Sequence, residues 1–347
     1  MNKEQDLFYM KRCHELAKRA LGSTYPNPLV GSIIVHDNVI IGEGWHKQAG
    51  GAHAEVNAIN QVINKNLLKK STLYVNLEPC SHFGKTPPCS DLIISSKIPR
   101  VVIGSNDPNP KVAGNGIKKL KAAGCEVVTH VLQKESDFLN RRFFTFHKKK
   151  RPYVILKWAQ TKDSLIAPLS DKNKKTEIFW ISNSISKQQA HQWRSEEAAI
   201  LVGVQTVVND NPKLTTREWA GKNPLRLIID PSARTPVDSS VHSDSEPTIF
   251  FTNHKTGTFL KNKKYIKIEP FSIEKILQNC YENEIQSIIV EGGLITLQKF
   301  IDAKLWDEAR IFSSNKELIK GVKAPKINKA AFNIEKNDTD TVSIYFN

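Results

Sequence analysis

The chain has 347 residues, of which 24% are charged, and its formal net charge is +15. This length exceeds that of one ordinary domain, so two domains are expected. No run of about 20 apolar residues is present, which excludes a membrane-spanning helix, and the sequence shows no internal repeat or low-complexity block.

The positive charge comes mainly from lysines scattered through predicted loops. They cluster at residues 148–150, 172–175, 261–267 and 316–326 rather than along one stripe interleaved with aromatic residues. Such a stripe is typical of a surface that binds nucleic acid. We therefore expect a solvated basic surface that attracts an anionic small-molecule substrate, with no nucleic-acid partner and no membrane partner.

Alternating α and β elements are predicted for a first domain at residues 1–146. Residues 29–35 and 39–45 are apolar runs around a polar turn and predict a hairpin. Residues 54–64 have helical spacing, and residues 71–77 predict a strand that leads into Pro79-Cys80. Pro87-Pro88 precede Cys89 and favour a helix start there.

The most informative constellation is His53-Ala54-Glu55, followed by Pro79-Cys80 and Cys89. One imidazole and two thiolates fill three positions of a tetrahedral Zn²⁺ and leave the fourth for water, as in catalytic zinc sites. Glu55 is poorly placed as a ligand but well placed to move a proton from that water to a ring nitrogen and a leaving amine. The order H-x-E…P-C…C is that of zinc deaminases acting on a base.

Two alternatives to a zinc site are a disulfide between Cys80 and Cys89 and a pair of unrelated buried thiols. The N-terminal sequence has no apolar signal region, and the five cysteines are an odd, scattered set. These features predict a reducing, cytoplasmic location, where a stable disulfide is disfavoured. Cys13, Cys125 and Cys280 are expected to be core or surface thiols.

Residues 147–347 are predicted to form the second domain, joined to the first by the basic segment 147–151 before Pro152. Short apolar runs at residues 153–158, 199–204, 225–230, 248–252 and 286–291 predict buried strands. Helices are expected at residues 184–194, at 273–282 and after Gly292-Gly293. This alternation predicts an α/β sheet with helices on both faces.

Further motifs in the first half carry a family resemblance. They are Pro26-Asn27-Pro28 with Val30-Gly31, the eight-residue insertion 81–88 between Cys80 and Cys89, and Asp107-Pro108-Asn109-Pro110. With the zinc constellation, they closely resemble the deaminase half of the bifunctional RibD family of riboflavin biosynthesis proteins, over about residues 5–146. The resemblance implies a cytidine-deaminase-like α/β/α domain and a diaminohydroxy-pyrimidinone substrate that carries a ribosylamino 5'-phosphate. It places Asn27, His46 and Lys85 in the substrate pocket.

The second half resembles the RibD reductase half over about residues 152–315, through pieces such as Lys157-Trp158-Ala159, residues 202–217, Asp230-Pro231 and Val290-Glu291-Gly292-Gly293. This resemblance implies a dihydrofolate-reductase-like α/β domain, NADPH as hydride donor and a homo-oligomer. By the resemblance, the cofactor is contacted by Ala159, Trp180, Thr206, Asp210, Pro231, Gly293, Leu294, Ile295, Thr296, Leu297, Gln298 and Lys299. The reductase substrate is contacted by Ile178, Arg194, Leu214, Arg217 and Glu291, with Arg194 and Arg217 as candidate phosphate ligands. Either Asp210 or Lys157 is a candidate for the accompanying proton transfer.

The second half departs from the family pattern at two neighbouring positions. Lys162 stands where the family usually has leucine, and Ser164 stands where it usually has glycine. Glycine often marks a backbone conformation that side chains disfavour. One alternative that these departures leave open is a deaminase whose reductase-like half only binds or scaffolds. A second alternative, which rests on the positive charge and the zinc motif, is an RNA-directed zinc deaminase.

Overall fold

A computed structural model describes residues 3–82, 87–109, 113–169, 179–254 and 257–347. The chain divides into two compact units, Met1–Lys149 and Lys150–Asn347. Among the described residues, every helix is too short or too polar to cross a membrane.

The first unit is a five-stranded sheet with helices on both faces. Its helices are α1 (Lys3–Lys18), α2 (Ala54–Gln61), α3 (Cys89–Ser95), α4 (Asn115–Ala122), α5 (Gln133–Leu139) and α6 (Arg141–Lys149), with a 3-10 helix at Lys65–Lys70. Its strands are β1 (Gly31–His36), β2 (Val39–Trp45), β3 (Thr72–Leu77), β4 (Arg100–Ser105) and β5 (Glu126–Val128). The strand order is β2-β1-β3-β4-β5. The pairs β2-β1 and β1-β3 are antiparallel, whereas β3-β4 and β4-β5 are parallel.

Apolar side chains cover both faces of this sheet. One buried cluster joins Met10 and Leu16 of α1 to Tyr74 and Val102 on the sheet. Another buried cluster fills the opposite face, between the sheet and helices α2, α3 and α4. The predicted hairpin at residues 29–45 is confirmed, with its turn at Asp37 and Asn38, both of positive φ.

Two glycines on β2 let α2 approach the sheet closely. A Cβ at Gly44 would lie 2.4 Å from the backbone nitrogen of Ala58, and a Cβ at Gly42 would lie 2.4 Å from the carbonyl oxygen of the same residue. Any larger side chain at these positions would push α2 outward. The start of α2, where His53 and Glu55 lie, is therefore fixed against the hairpin.

The second unit is built on a ten-stranded sheet and a small two-stranded sheet. Its helices are α7 (Ser184–Glu196), α8 (Val204–Asp210), α9 (Ser240–Ser243), α10 (Ile273–Glu282) and α11 (Leu294–Asp302). Its strands are β6 (Tyr153–Gln160), β7 (Leu165–Pro168), β8 (Ala199–Gly203), β9 (Leu225–Ile229), β10 (Thr248–Thr252), β11 (Gly257–Leu260), β12 (Lys263–Lys267), β13 (Ser287–Val290), β14 (Glu308–Ser313), β15 (Gly321–Lys323), β16 (Asn333–Asn337) and β17 (Asp340–Phe346). The large sheet has the order β11-β12-β10-β9-β8-β13-β6-β14-β17-β16, and β15 pairs with β7.

Along this order, the strands from β12 to β14 are parallel. They include every strand that the sequence predicts for the second domain. Their faces are covered by two apolar clusters, one that contains Phe300 and one that contains Trp193. Both edges of the sheet are antiparallel, through β11 on one side and β17-β16 on the other. These antiparallel edges were not predicted from the sequence.

Candidate active sites

Two helix starts bring the candidate metal ligands of the first unit together. His53 is the N-cap residue of α2, and Cys89 is the first residue of α3, preceded by Pro88. Cys80 lies three residues beyond the end of β3. The ligand atoms of these three residues all lie within 4.8 Å of one another. The structure therefore brings the three predicted ligands into one group.

The contacts inside this group are between sulfur and nitrogen atoms. His53 Nδ1 lies 3.2 Å from Cys89 Sγ and 3.6 Å from Cys80 Sγ, and the Cys89 backbone N–H donates to Cys80 Sγ at 3.3 Å. The hydrogen bond with Cys89 lowers the pKa of the Cys80 thiol to about 4, whereas the hydrogen bond with Cys80 and burial raise the pKa of Cys89. An imidazole with two soft sulfur ligands suits Zn²⁺ far better than Mg²⁺ or Ca²⁺.

Glu55 lies in the first turn of α2 with 3% of its surface exposed. Burial raises the pKa of Glu55 to about 7, and the nearby Cys80 adds to this rise. A carboxyl group with a pKa near neutrality exchanges protons readily at physiological pH. Glu55 thus has the burial and the position of a general acid-base group rather than of a fourth ligand.

These residues open onto a cavity of about 410 Å³. Its lining includes His53, Glu55 and Cys80 together with the predicted substrate residues Asn27 and His46. The Asn27 side-chain amide lies 3.0 Å from His46 Nε2, and His46 Nδ1 lies 3.1 Å from the Ala52 carbonyl oxygen. Burial lowers the pKa of His46, which favours the neutral form of its ring.

Two buried asparagines fix the segment that carries Asn27. Asn140 makes two hydrogen bonds with the backbone of Leu29, through its side-chain oxygen at 2.8 Å and its amide at 2.9 Å. Asn76 accepts from the Gly31 N–H at 2.8 Å and donates to the Leu29 carbonyl at 3.0 Å. The cavity wall at residues 26–28 is therefore held by side chains from β3 and from the residue between α5 and α6.

Most of the candidate cofactor residues of the second unit lie at one edge of its sheet. Ala159 is near the carboxyl end of β6, Thr206 is in the first turn of α8 after β8, Pro231 follows β9 and Gly293 follows β13. Ligands of open α/β sheets bind outside the carboxyl ends of parallel strands. The Gly293 N–H donates to Thr206 Oγ1 at 3.1 Å, and α11 starts at the next residue, so the stretch from Gly293 to Lys299 forms the first turns of that helix.

The candidate substrate residues of the second unit centre on Glu291. Two nitrogens of Arg194 bind the Glu291 carboxylate at 2.7 and 2.8 Å, and Lys157 Nζ lies 3.3 Å from the same carboxylate. Burial alone would raise the pKa of Glu291, but the charges of Arg194 and Lys157 hold it well below its usual range. The remaining Arg194 nitrogen, Nη1, donates to the Thr215 carbonyl at 3.0 Å. Arg194 is thus committed to protein partners, whereas the Arg217 side chain is 42% exposed.

Comparison with known proteins decides the family. Residues 3–105 match the model of the cytidine and deoxycytidylate deaminase zinc-binding region, and residues 152–318 match that of the RibD C-terminal domain. The riboflavin biosynthesis protein RibD of Aquifex aeolicus is 42% identical over 328 residues, which cover 93% of this chain and 90% of that protein. The chain belongs to the RibD family.

Solved structures of RibD-family proteins agree with this assignment. A diaminohydroxyphosphoribosylaminopyrimidine deaminase/5-amino-6-(5-phosphoribosylamino)uracil reductase from Thermotoga maritima is 38% identical, with a TM-score of 0.89 and coverage of 99% of this chain and 98% of that one. RibD of Acinetobacter baumannii is 30% identical, with a TM-score of 0.89 and coverage of 99% of both chains. The predicted fold class and the predicted pairing of a deaminase with a reductase are confirmed.

Some predicted residues of this RibD-family chain stand apart from the groups above. Lys85 and Ile178 lie outside the described residues. Trp180 is 52% exposed, and its carbonyl accepts from Lys316 Nζ at 2.5 Å. Leu214 is buried with a φ of 56°, and Asp210 is exposed at the end of α8.

Several cavity residues were missed by the sequence reasoning, although the family motifs contain them. Glu78, His82, Asp107 and Asn109 line the deaminase cavity beside the predicted residues. Burial raises the pKa of Asp107 to about 7. The motif at residues 107–110 was the available signal, but nothing in its residues indicates that it lies near Cys80.

His191 of the second unit, whose Nδ1 has no partner among the described residues, was also not predicted. His191 lies on α7 one turn before Arg194 with 2% of its surface exposed, and its Nδ1 has no hydrogen-bond partner within the described parts of the chain. Burial, together with the charges of Arg194 and Arg217, lowers the pKa of His191 to about 4. This ring is therefore neutral and lies within the electrostatic reach of the candidate substrate residues.

Proposed function

We propose that residues 1–146 form a deaminase domain that acts on 2,5-diamino-6-(5-phosphoribosylamino)pyrimidin-4(3H)-one. The observation that carries this proposal is the group of His53, Cys80 and Cys89 beside the buried Glu55 in one cavity. A zinc ion held by the three ligands would supply water with a lowered pKa at its fourth position. The named activity of the Thermotoga maritima protein supports the choice of substrate.

Within this site, the residues of the chain have distinct roles. Glu55 takes one proton from the attacking water and passes it to the ring nitrogen, and it then carries the second proton of that water to the departing amine, which leaves as ammonia. Its burial, with a pKa near 7, suits both the acceptance and the release of that proton. Asn27 and the neutral His46 orient the pyrimidine by hydrogen bonds, and Lys85 is proposed to contact the substrate from the insertion between the cysteines.

We further propose that residues 147–347 form the reductase domain, with NADPH as hydride donor. NADPH would supply the hydride that opens the ribosyl group of the deaminated product to a ribityl chain. The residues at the carboxyl edge of the sheet would hold the cofactor, and the start of α11 offers backbone N–H groups to a phosphate. Glu291 and Arg217 are proposed to position the substrate, and Lys157 is near enough to Glu291 to share in proton transfer.

Three further expectations belong to this proposal. The enzyme is proposed to act in the cytoplasm, to associate as a homo-oligomer and to have no nucleic-acid partner. The scattered lysines in the sequence support the last of these.

A coupled assay with metal analysis tests both halves. We expect purified protein to contain one zinc per chain, to release ammonia from the aminopyrimidine phosphate and then to oxidise NADPH. Absence of ammonia release from folded, zinc-loaded protein would refute the deaminase assignment. Binding of NADPH without turnover of authentic deaminated substrate would show that the second half only binds or scaffolds.

A further inference from the structure

We propose that Glu78 is a positioning residue of the deaminase site, which holds the segment carrying Asp107 and Asn109 against the strand end that carries Cys80. This inference rests on the proposed deaminase function. Glu78 follows β3 directly, lies two residues before Cys80 and has 3% of its surface exposed. Its backbone N–H donates to the Ser105 carbonyl at 2.9 Å, which joins the ends of β3 and β4.

The Glu78 carboxylate accepts four backbone hydrogen bonds. Oε2 accepts from the N–H of Asp107 at 3.3 Å and of Gly114 at 3.0 Å. Oε1 accepts from the N–H of Gly116 at 3.0 Å and of Ile117 at 3.3 Å. An ionised carboxylate only accepts, and its two oxygens can take about four donors, so these four contacts fill it.

These donors belong to the start of α4 and to the connection that precedes it. The N-cap residue of α4 is Gly114, which has no side chain to satisfy the first N–H groups of the helix. Glu78, which follows β3, supplies the acceptor oxygens that the glycine N-cap lacks. Its negative charge also stabilises the helix N-terminus. A Cβ at Gly116 would lie 2.1 Å from the Pro79 carbonyl oxygen, so the helix start packs directly against the residue before Cys80.

Two described residues of this connection form part of the cavity wall. Asp107 and Asn109 line the cavity, and the Asn109 N–H donates to Asp107 Oδ1 at 2.8 Å. Glu78 also borders the cavity, but its acceptor capacity is taken by the four N–H groups. It therefore acts on the substrate through Asp107 and Asn109, not by direct contact.

The Glu78→Gln variant of the full, zinc-loaded chain tests this role. A glutamine side chain keeps one acceptor oxygen and turns an amide group towards two N–H donors, so the wall loosens while the ligands stay in place. We expect KM for the aminopyrimidine phosphate to rise at least about tenfold with a much smaller change in kcat. Zinc should remain at one per chain, and hydrogen exchange at Gly114, Gly116 and Ile117 should become faster. An unchanged KM, or loss of zinc, overturns the inference.

A matched control separates positioning from general stability. Asp6 is a buried carboxylate in the same unit that accepts from Tyr74 and twice from Arg100, away from the cavity. We expect Asp6→Asn to destabilise the unit without changing KM. A KM increase in Asp6→Asn equal to that in Glu78→Gln would overturn the inference.

A double-mutant cycle shows whether Glu78 acts through the wall. Asn109→Ala should raise KM by itself, and adding Glu78→Gln should raise KM by less than it does in the wild type, because the Asn109 side chain that Glu78 helps to position is already absent. Fully additive effects would overturn the inference. If Glu78→Gln does not fold, Gly116→Ala disturbs the same packing without changing the carboxylate, and an unchanged KM in that variant would overturn it as well. Absence of deamination by the wild-type chain would instead refute the proposed function.

Discussion

At the residue scale, Glu55 is the side chain whose loss should affect chemistry most selectively. Glu55→Gln keeps the size of the side chain but cannot carry a proton from water to the substrate. We expect deamination to fall by about 10²–10⁴-fold, the usual range for a general acid-base group, while zinc stays at one per chain. Ammonia release and elemental analysis of one preparation check both parts. Loss of metal in this variant would show that Glu55 holds the metal instead.

His14 should make the first unit sensitive to acid. It is 8% exposed, and its Nε2 lies 2.8 Å from Ser136 Oγ. Burial lowers the pKa of His14 from 6.5 to about 4. The folded state therefore binds a proton less readily than the unfolded state. The contribution of neutral His14 to the free energy of unfolding is therefore complete above about pH 6.5, and it is lost as the pH falls towards 4.

The His14→Gln variant isolates this contribution, because glutamine stays neutral and can still hydrogen-bond Ser136. From pH 7.5 to pH 5, the wild-type unit should lose about 2 kcal/mol of unfolding free energy more than the variant. Pulse proteolysis in urea, scored on fragments of the first unit, measures the difference. Equal pH dependence in the two proteins would contradict this prediction.

The residues of the deaminase site differ in how far the sequence could predict them. His53, Glu55, Cys80 and Cys89 were predictable because each lies beside a local signal, a helix start or a strand end. Glu78 was not, because its partners are backbone N–H groups of a segment about 30–40 residues away. Every residue except proline has a backbone N–H, so the residue types in a sequence motif do not show which N–H groups Glu78 binds.

At the element scale, the parallel strands of the second unit were predictable and its antiparallel edges were not. Buried parallel strands are continuous apolar runs, such as β8 and β13, and these stand out in the sequence. The edge strand β16 has the sequence NIEKN and is mostly exposed, so it lacks that pattern. Its position depends on pairing with β17, which only the folded sheet reveals.

The turn after β6 explains one departure from the family pattern and gives a stability prediction. Ser164, at the position where glycine is usual, has a φ of 59° and donates its backbone N–H to the Thr161 carbonyl at 2.9 Å. The left-handed conformation costs a non-glycine residue roughly 1–2 kcal/mol, partly offset by the greater freedom of glycine in the unfolded chain. Ser164→Gly should therefore stabilise the second unit by about 0.5–1 kcal/mol.

Ser164→Ala is the matched control, because it removes the hydroxyl group but keeps the Cβ. Urea unfolding of the two variants beside the wild type should show a gain for glycine alone. An equal gain for alanine would mean that the hydroxyl group, not the backbone conformation, is the source of strain.

At the scale of the whole molecule, the chain joins two compact units, each with its own core and its own cluster of buried charged groups. The proposed catalytic groups of the first unit lie around Glu55, and the residues proposed to bind the substrate of the second unit lie around Glu291. If each unit supports its own reaction, a lesion in one should spare the other. The matched pair Glu55→Gln and Glu291→Gln tests this separation with the same chemical change.

Glu291→Gln leaves Arg194 and Lys157 without the carboxylate that both contact, and unpaired buried cations are costly. We expect this variant to lose at least about a hundredfold in reductase activity while it releases ammonia at the wild-type rate. Glu55→Gln should lose ammonia release but should oxidise NADPH at the wild-type rate when it is given substrate that is already deaminated. Each activity is measured separately, by ammonia release and by NADPH oxidation. Loss of both activities in either variant would show that the two units depend on each other for folding or for catalysis.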